Sequence, residues 1–338
     1  MHNVINNIID DSYEKLLLDE MPVTIEYGIV KDYSELLSNS INQLRESDKK
    51  RVIVIKVGEM FDVIMVNKIT KELQKNFPDK EFILLVDDYR ELDLDFKFIK
   101  SMAGWCIVLH HAKDRDGEDM INFKNIDNHH RNKLFLSRNN KGKIHRTEWV
   151  KFLEDNNLKE KGYVSEGWNG IFLEHLNGDF IETVETFEQI GYNYWNQRYP
   201  SRDDFSLMNF YNDSFCEVTL SSEYDIKTSP YGAFCTEKEF RSFLMCVIPM
   251  LVSVIDYDKY LKDAGFDLFE DVIDTSFYKT GDLDKKFEIF KENFDIIEND
   301  LTIDGRFRDD IWKRLKTNQS IFMDGWDKYF WKKYKELK

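Results

Sequence analysis

Apolar residues in the first third of the chain come in short continuous runs. Between the runs they recur every three or four positions. Residues 22–30 (PVTIEYGIV), 51–57 (RVIVIKV), 81–89 (EFILLVDDY) and 104–111 (GWCIVLHH) predict strands. Unbroken β-branched runs such as 51–57 suit strands covered on both faces. Residues 34–44 and 65–77 carry helical spacing, with Ile69 and Leu73 four apart and Pro78 as the stop. A further short helix is expected just before residue 104. Strands alternating with helices predict a parallel sheet with right-handed crossovers.

The alternation pauses over the polar stretch 112–133 and then restarts. Residues 134–137 (LFLS), 162–165 (GYVS) and 215–220 predict strands, and 147–158 a helix with Trp149, Phe152 and Leu153 on one face. The most apolar segment, 243–255, is expected to continue a helix that starts at Glu237 and is ended by Pro249, with 250–254 (MLVSV) as the next strand. Residues 256–266 predict a helix closed by Gly265 in a left-handed conformation. Phe287, Phe290, Phe294 and Ile297 form one stripe of another helix. The expected architecture is α/β, with two Rossmann-like domains spanning 1–128 and 129–307. A helical segment over 308–338, rich in Trp and Tyr, is expected to pack back on the first domain.

Composition narrows the class. The 338 residues are 42% apolar and 14% aromatic, enough for a sizeable core. With 63 acidic against 47 basic residues the net charge is −16, which disfavours a broad nucleic-acid surface. The longest apolar run is interrupted by Pro249 and is shorter than the roughly 20 residues that span a bilayer. The first fifteen residues read as no secretory leader. Cys106, Cys216, Cys235 and Cys246 have no C-x-x-C spacing and read as reduced thiols, so a cytoplasmic location is expected, in the host cytoplasm if the chain is viral.

Two features carry candidate chemistry. Thr236 and Glu239 have the spacing of a capping box, which puts Glu237 and Lys238 in the first turn of a helix. A lysine there opposes the helix dipole unless an anion is bound. Residues 137–146 (SRNNKGKIHR) follow a strand directly, and five of the nine positions from Arg138 to Arg146 are basic or His. A cationic loop at the carboxyl end of a parallel strand suits a pyrophosphate. Neither the dinucleotide glycine fingerprint nor the P-loop is present.

The blocks FLSRNNKGKIHR (135–146), GYVSEGW, FCEVTLSSE and FCTEKEFRSFLMCVIPMLVSVIDYDKYLKDAGF together resemble a group of bacteriophage-type relatives of α-1,3-fucosyltransferases. The resemblance covers about residues 135–297, and 221–234 (SSEYDIKTSPYGAF) follow the pattern only in part. It implies a GT-B fold, two Rossmann-like domains facing across a cleft, with the C-terminal domain holding a nucleotide-sugar donor. It places Glu237 near the donor sugar or ribose, Lys238 on the donor phosphate and Arg146 on the diphosphate. Ser137, Arg138, Asn139, His145 and Thr236 complete the expected donor site.

Glycosyl transfer needs a stabilised leaving diphosphate, a base for the acceptor hydroxyl and exclusion of water. The base is expected on the first domain, at the end of a strand: Glu59 first, then Asp87 and Asp88, then His110 and His111. The donor is a UDP- or GDP-sugar; no other cofactor and no metal are expected. DRDGED (114–119) lacks the spacing of a calcium loop, and the histidine pairs at 110–111 and 129–130 point apart on a strand. The acceptor is a glycan, protein, small molecule or modified base. The alternatives are a catalytically inactive virion or glycan-binding protein of the same fold, and a phage enzyme that glycosylates modified DNA bases.

Overall fold

The structure, a computed structural model, describes residues 13–18, 33–56, 63–86, 93–100, 102, 105, 123–139, 143–166, 208–221 and 238–337. The chain divides into two compact units. The first comprises Met1–Cys106, Asp225–Cys235 and Asp327–Lys338, the second Ile107–Tyr224 and Thr236–Trp326.

The first unit is built on β1 (Tyr13–Leu18), α1 (Tyr33–Glu46), β2 (Arg51–Lys56), α2 (Val63–Asn76), β3 (Glu81–Val86) and β4 (Lys97–Lys100). Its sheet is parallel, in the order β1-β2-β3-β4. Successive side chains point to opposite faces of a strand. Val52, Val54, Leu84 and Val86 join Leu16, Leu44, Val66, Ile69 and Leu73 in one core, while Ile53, Ile55, Ile83 and Leu85 are buried on the other face. Burial on both faces is what the unbroken apolar runs of β2 and β3 encode.

Sequence and structure part in three places here. β1 was not expected: YEKLLL pairs with β2 along its whole length. β4 occupies Lys97–Lys100, where a short helix was expected before a strand at 104–111. Trp105 is helical, and the rest of 103–111 lies outside the described residues. The expected strand at 22–30 lies outside them as well.

The second unit holds β5 (Lys133–Asn139), α3 (Ile144–Asp155), β6 (Gly162–Glu166), α4 (Met208–Asn212), β7 (Ser214–Leu220), α5 (Lys238–Leu244), β8 (Ile248–Val252), α6 (Asp258–Asp263), α7 (Leu283–Asp300), the short hairpin β9 (Thr302–Ile303) and β10 (Arg306–Phe307), and α8 (Asp309–Asp324). Its parallel sheet runs β6-β5-β7-β8. On one face Phe135 stacks on Phe294 at 4.8 Å, and Trp149 of α3 meets Phe290 of α7 edge-on at 5.9 Å. That aromatic cluster is the phenylalanine stripe visible in the sequence. At the opposite end of the sheet from the strand carboxyl termini, the Arg131 guanidinium lies over Phe307 at 4.8 Å and Trp312 at 5.5 Å, and donates to the Ser214 carbonyl.

Pro249 corrects an expectation. It does not end the helix; it sits inside β8, opposite Glu217 in the register with β7. The helix ends at Leu244 because Cys246 takes φ +54° and the Val247 amide bonds back to the Ser242 carbonyl, a Schellman closure with cysteine where glycine is usual. Proline is tolerated in β8 because, among the described residues, that strand is at the edge of its sheet. Gly265 does close α6 with φ +96°.

The C-terminal segment divides at Gly325. Gln319 of α8 donates to the carbonyls of Leu244 and Phe123, within the second unit. The last helix, α9 (Trp326–Glu336), contributes Tyr329 and Tyr334 to the first unit. Tyr334 meets Tyr13 of β1 edge-on at 5.9 Å, and their hydroxyls hydrogen-bond. Tyr329 lies 6.3 Å from Trp105. Among the described residues no helix is long and apolar enough to cross a membrane.

Candidate functional site

Strand order singles out one place in the second unit. From β5 the chain passes to β6 on one side, then crosses to β7 on the other. The gap between the carboxyl ends of β5 and β7 is therefore a topological switch point, where open parallel sheets bind ligands. The sheet of the first unit is laid down in sequential order and has none among its described strands.

Three expected site residues end β5. Ser137 and Asn139 share one face: Asn139 donates to the Ser137 hydroxyl at 3.3 Å, and the Trp149 indole donates to the same oxygen at 3.1 Å. Arg138 points to the other face and pairs with Glu217 of β7 at 3.2 Å. Its guanidinium also lies 5.2 Å from the centre of the Tyr211 ring, and the Tyr211 hydroxyl donates to the same Glu217 oxygen at 2.8 Å. Burial raises the Glu217 carboxyl above its usual range, while Arg138, Tyr211 and Arg241 of α5 pull it down.

The next two expected residues lie in the first turn of α3. His145 donates from Nε2 to the Ser221 carbonyl at 3.0 Å, and Arg146 donates to the Leu220 carbonyl at 3.0 Å. Both side chains are buried. Burial, helped by the neighbouring Arg146 charge, pulls His145 down to about 3, so it is neutral at pH 7. The stretch read as a cationic loop is thus divided in two. Arg138, His145 and Arg146 are interior groups that tie α3 and β5 to the end of β7. Among the described residues of the stretch, Lys143 remains at the surface side, as the N-cap of α3 with no side-chain cap bond; Lys141 lies outside them.

Lys238 opens α5 and is partly buried. Thr236 and Glu237 lie outside the described residues, as do all five base candidates, Glu59, Asp87, Asp88, His110 and His111. Among the described residues no group of three His, Cys, Asp or Glu side chains is placed to hold a metal ion.

The sequence reading overlooked Glu217. Its signal was present: SFCEVTL is a wholly buried strand holding one carboxylate, and a buried carboxylate requires a cation or donors from a neighbouring element. Comparison with protein-family models, with curated proteins and with solved structures returns no match.

Proposed function

We propose that the chain is a metal-independent glycosyltransferase of the GT-B plan, and that the switch point of the second unit receives the diphosphate of a nucleotide-sugar donor. The observation that carries this reading is the start of α3. This twelve-residue helix is separated from the end of β5 by four residues and has a lysine rather than an acceptor at its N-cap, whose side chain makes no cap hydrogen bond. An anion there reverses the unfavourable placement of Lys143 in the helix dipole. Lys238 and Arg146 supply further positive charge in the same unit. Two separate parallel-sheet units fit the two Rossmann-like domains that the resemblance implies, and Glu59 is the proposed base.

Calorimetry with UDP and GDP tests the binding step. Lys238→Ala is expected to weaken nucleotide binding by about 1.5–3 kcal/mol, the range for a charge-assisted contact, and Arg146→Ala to weaken it through loss of a buried positive charge held by the Leu220 carbonyl. Melting without nucleotide reports whether the Arg146 variant has kept its fold. Unchanged affinity in both variants overturns the reading. Slow hydrolysis across a panel of nucleotide sugars, in excess EDTA and with Glu59→Gln, tests the transfer step; binding without turnover identifies a non-catalytic sugar-binding protein instead.

A further inference from the structure

Along β7, Glu217 and Thr219 point to one face of the sheet, and Ser221, the next residue of the same parity, follows directly on the strand. All three are buried, at 2%, 4% and 2% exposure. Glu217 uses one carboxylate oxygen for Arg138 and Tyr211, yet its other oxygen, Oε2, has no hydrogen-bond partner. The Thr219 and Ser221 hydroxyls have none either. Native interiors satisfy the large majority of such atoms, and each exception is destabilising. Three in succession on one strand, leading to the switch point, form a ladder of unused hydrogen-bonding capacity.

We infer that this ladder is a subsite for a polyhydroxylated group, the sugar of the donor. The inference rests on the proposed nucleotide-sugar reading. Its chemistry fits hydroxyls better than a second phosphate. A carboxylate oxygen accepts only, whereas Thr and Ser hydroxyls both donate and accept. A sugar hydroxyl, itself donor and acceptor, can pair with every rung, whereas Thr219 and Ser221 bring no charge to a phosphate oxygen and the Glu217 carboxylate is already paired with Arg138. Rungs two residues apart on a strand are separated by about 6.6 Å, so one pyranose ring can bridge two of them. Glu217, held in place by Arg138 and Tyr211, is the orienting acceptor, and Thr219 and Ser221 set which ring hydroxyls are read.

The test compares UDP and GDP with their hexose conjugates by calorimetry on the full chain. Thr219→Val and Ser221→Ala remove hydroxyls that have no partner, so the fold should persist with an unchanged or raised melting temperature. Affinity for the free diphosphates should stay within about twofold of the parent. The ratio of affinities for conjugate and free diphosphate should fall about tenfold, and Thr219→Ser should restore it. An unchanged ratio in both variants overturns the subsite while leaving nucleotide binding intact. Failure of the parent chain to bind any of the diphosphates overturns the nucleotide-sugar reading and the subsite with it.

Discussion

Arg138 and Glu217, 79 positions apart in the chain, form an ion pair at 3.2 Å between adjacent strands, with side chains only 9% and 2% exposed. Removing one partner leaves the other charge buried, which typically costs about 3–5 kcal/mol. Arg138→Met is therefore expected to lower stability by that order in urea unfolding. Combining it with Glu217→Leu should recover much of the loss, less the Tyr211 hydrogen bond. If the two changes simply add, the pair is not coupled.

His145 predicts acid sensitivity. Its folded value of about 3 lies below its ordinary 6.5, so the unfolded chain binds the extra proton. Stability from this group is complete above about pH 6.5 and falls as pH drops toward 3, by up to about 5 kcal/mol. His145→Gln should show a shallower decline across that window when unfolding free energies are compared with the parent. Parallel curves would mean that the imidazole accepts its proton in the folded state.

Lys286 of α7 predicts the opposite limb. Its ammonium is fully buried and donates to the Phe277 carbonyl at 2.6 Å and the Ser253 carbonyl at 3.3 Å. Burial outweighs these bonds and pulls the group down from 10.5 to about 8. The unfolded chain again holds the extra proton, now between pH 8 and 10.5. The parent should gain roughly 3 kcal/mol relative to Lys286→Met as pH rises through that range. A constant difference between the two proteins would contradict the buried placement.

Gly162 predicts a packing limit. A Cβ built there comes within 2.5 Å of the Phe135 ring, which is fully buried and stacked on Phe294. Gly162→Ala must displace that stack and is expected to cost about 1–3 kcal/mol. Thermal melting measures the loss, and Phe135→Leu in the same chain should relieve part of it.

The sequence revealed the elements whose two faces are both buried. RVIVIK, EFILLV and SFCEVTL are continuous apolar or near-apolar runs, and the Phe287–Phe290–Phe294 stripe belongs to α7 as its spacing implies. It concealed YEKLLL and KFIK, because polar residues interrupt both outer strands of the first sheet and blur their period. Pro249 misled for a different reason. Whether a proline breaks an element depends on what lies beside it, and β8 has a neighbour on one side only among the described strands. The candidate site was legible as residue types and not as an arrangement. Arg138 reads as a surface charge until β7 brings Glu217 beside it.

Tyr13 and Tyr334, which meet in the first unit, are 321 positions apart. At about 5–20 residues per second, the ribosome adds Tyr334 roughly 16–64 s after Tyr13. Every residue of the second unit has been joined to the chain before Asp327, the second residue of α9, is added. β1 must therefore wait, its tyrosine without its aromatic partner, while β5 to β8 already have all they need to close. The first unit is opened before the second is made and is completed after it.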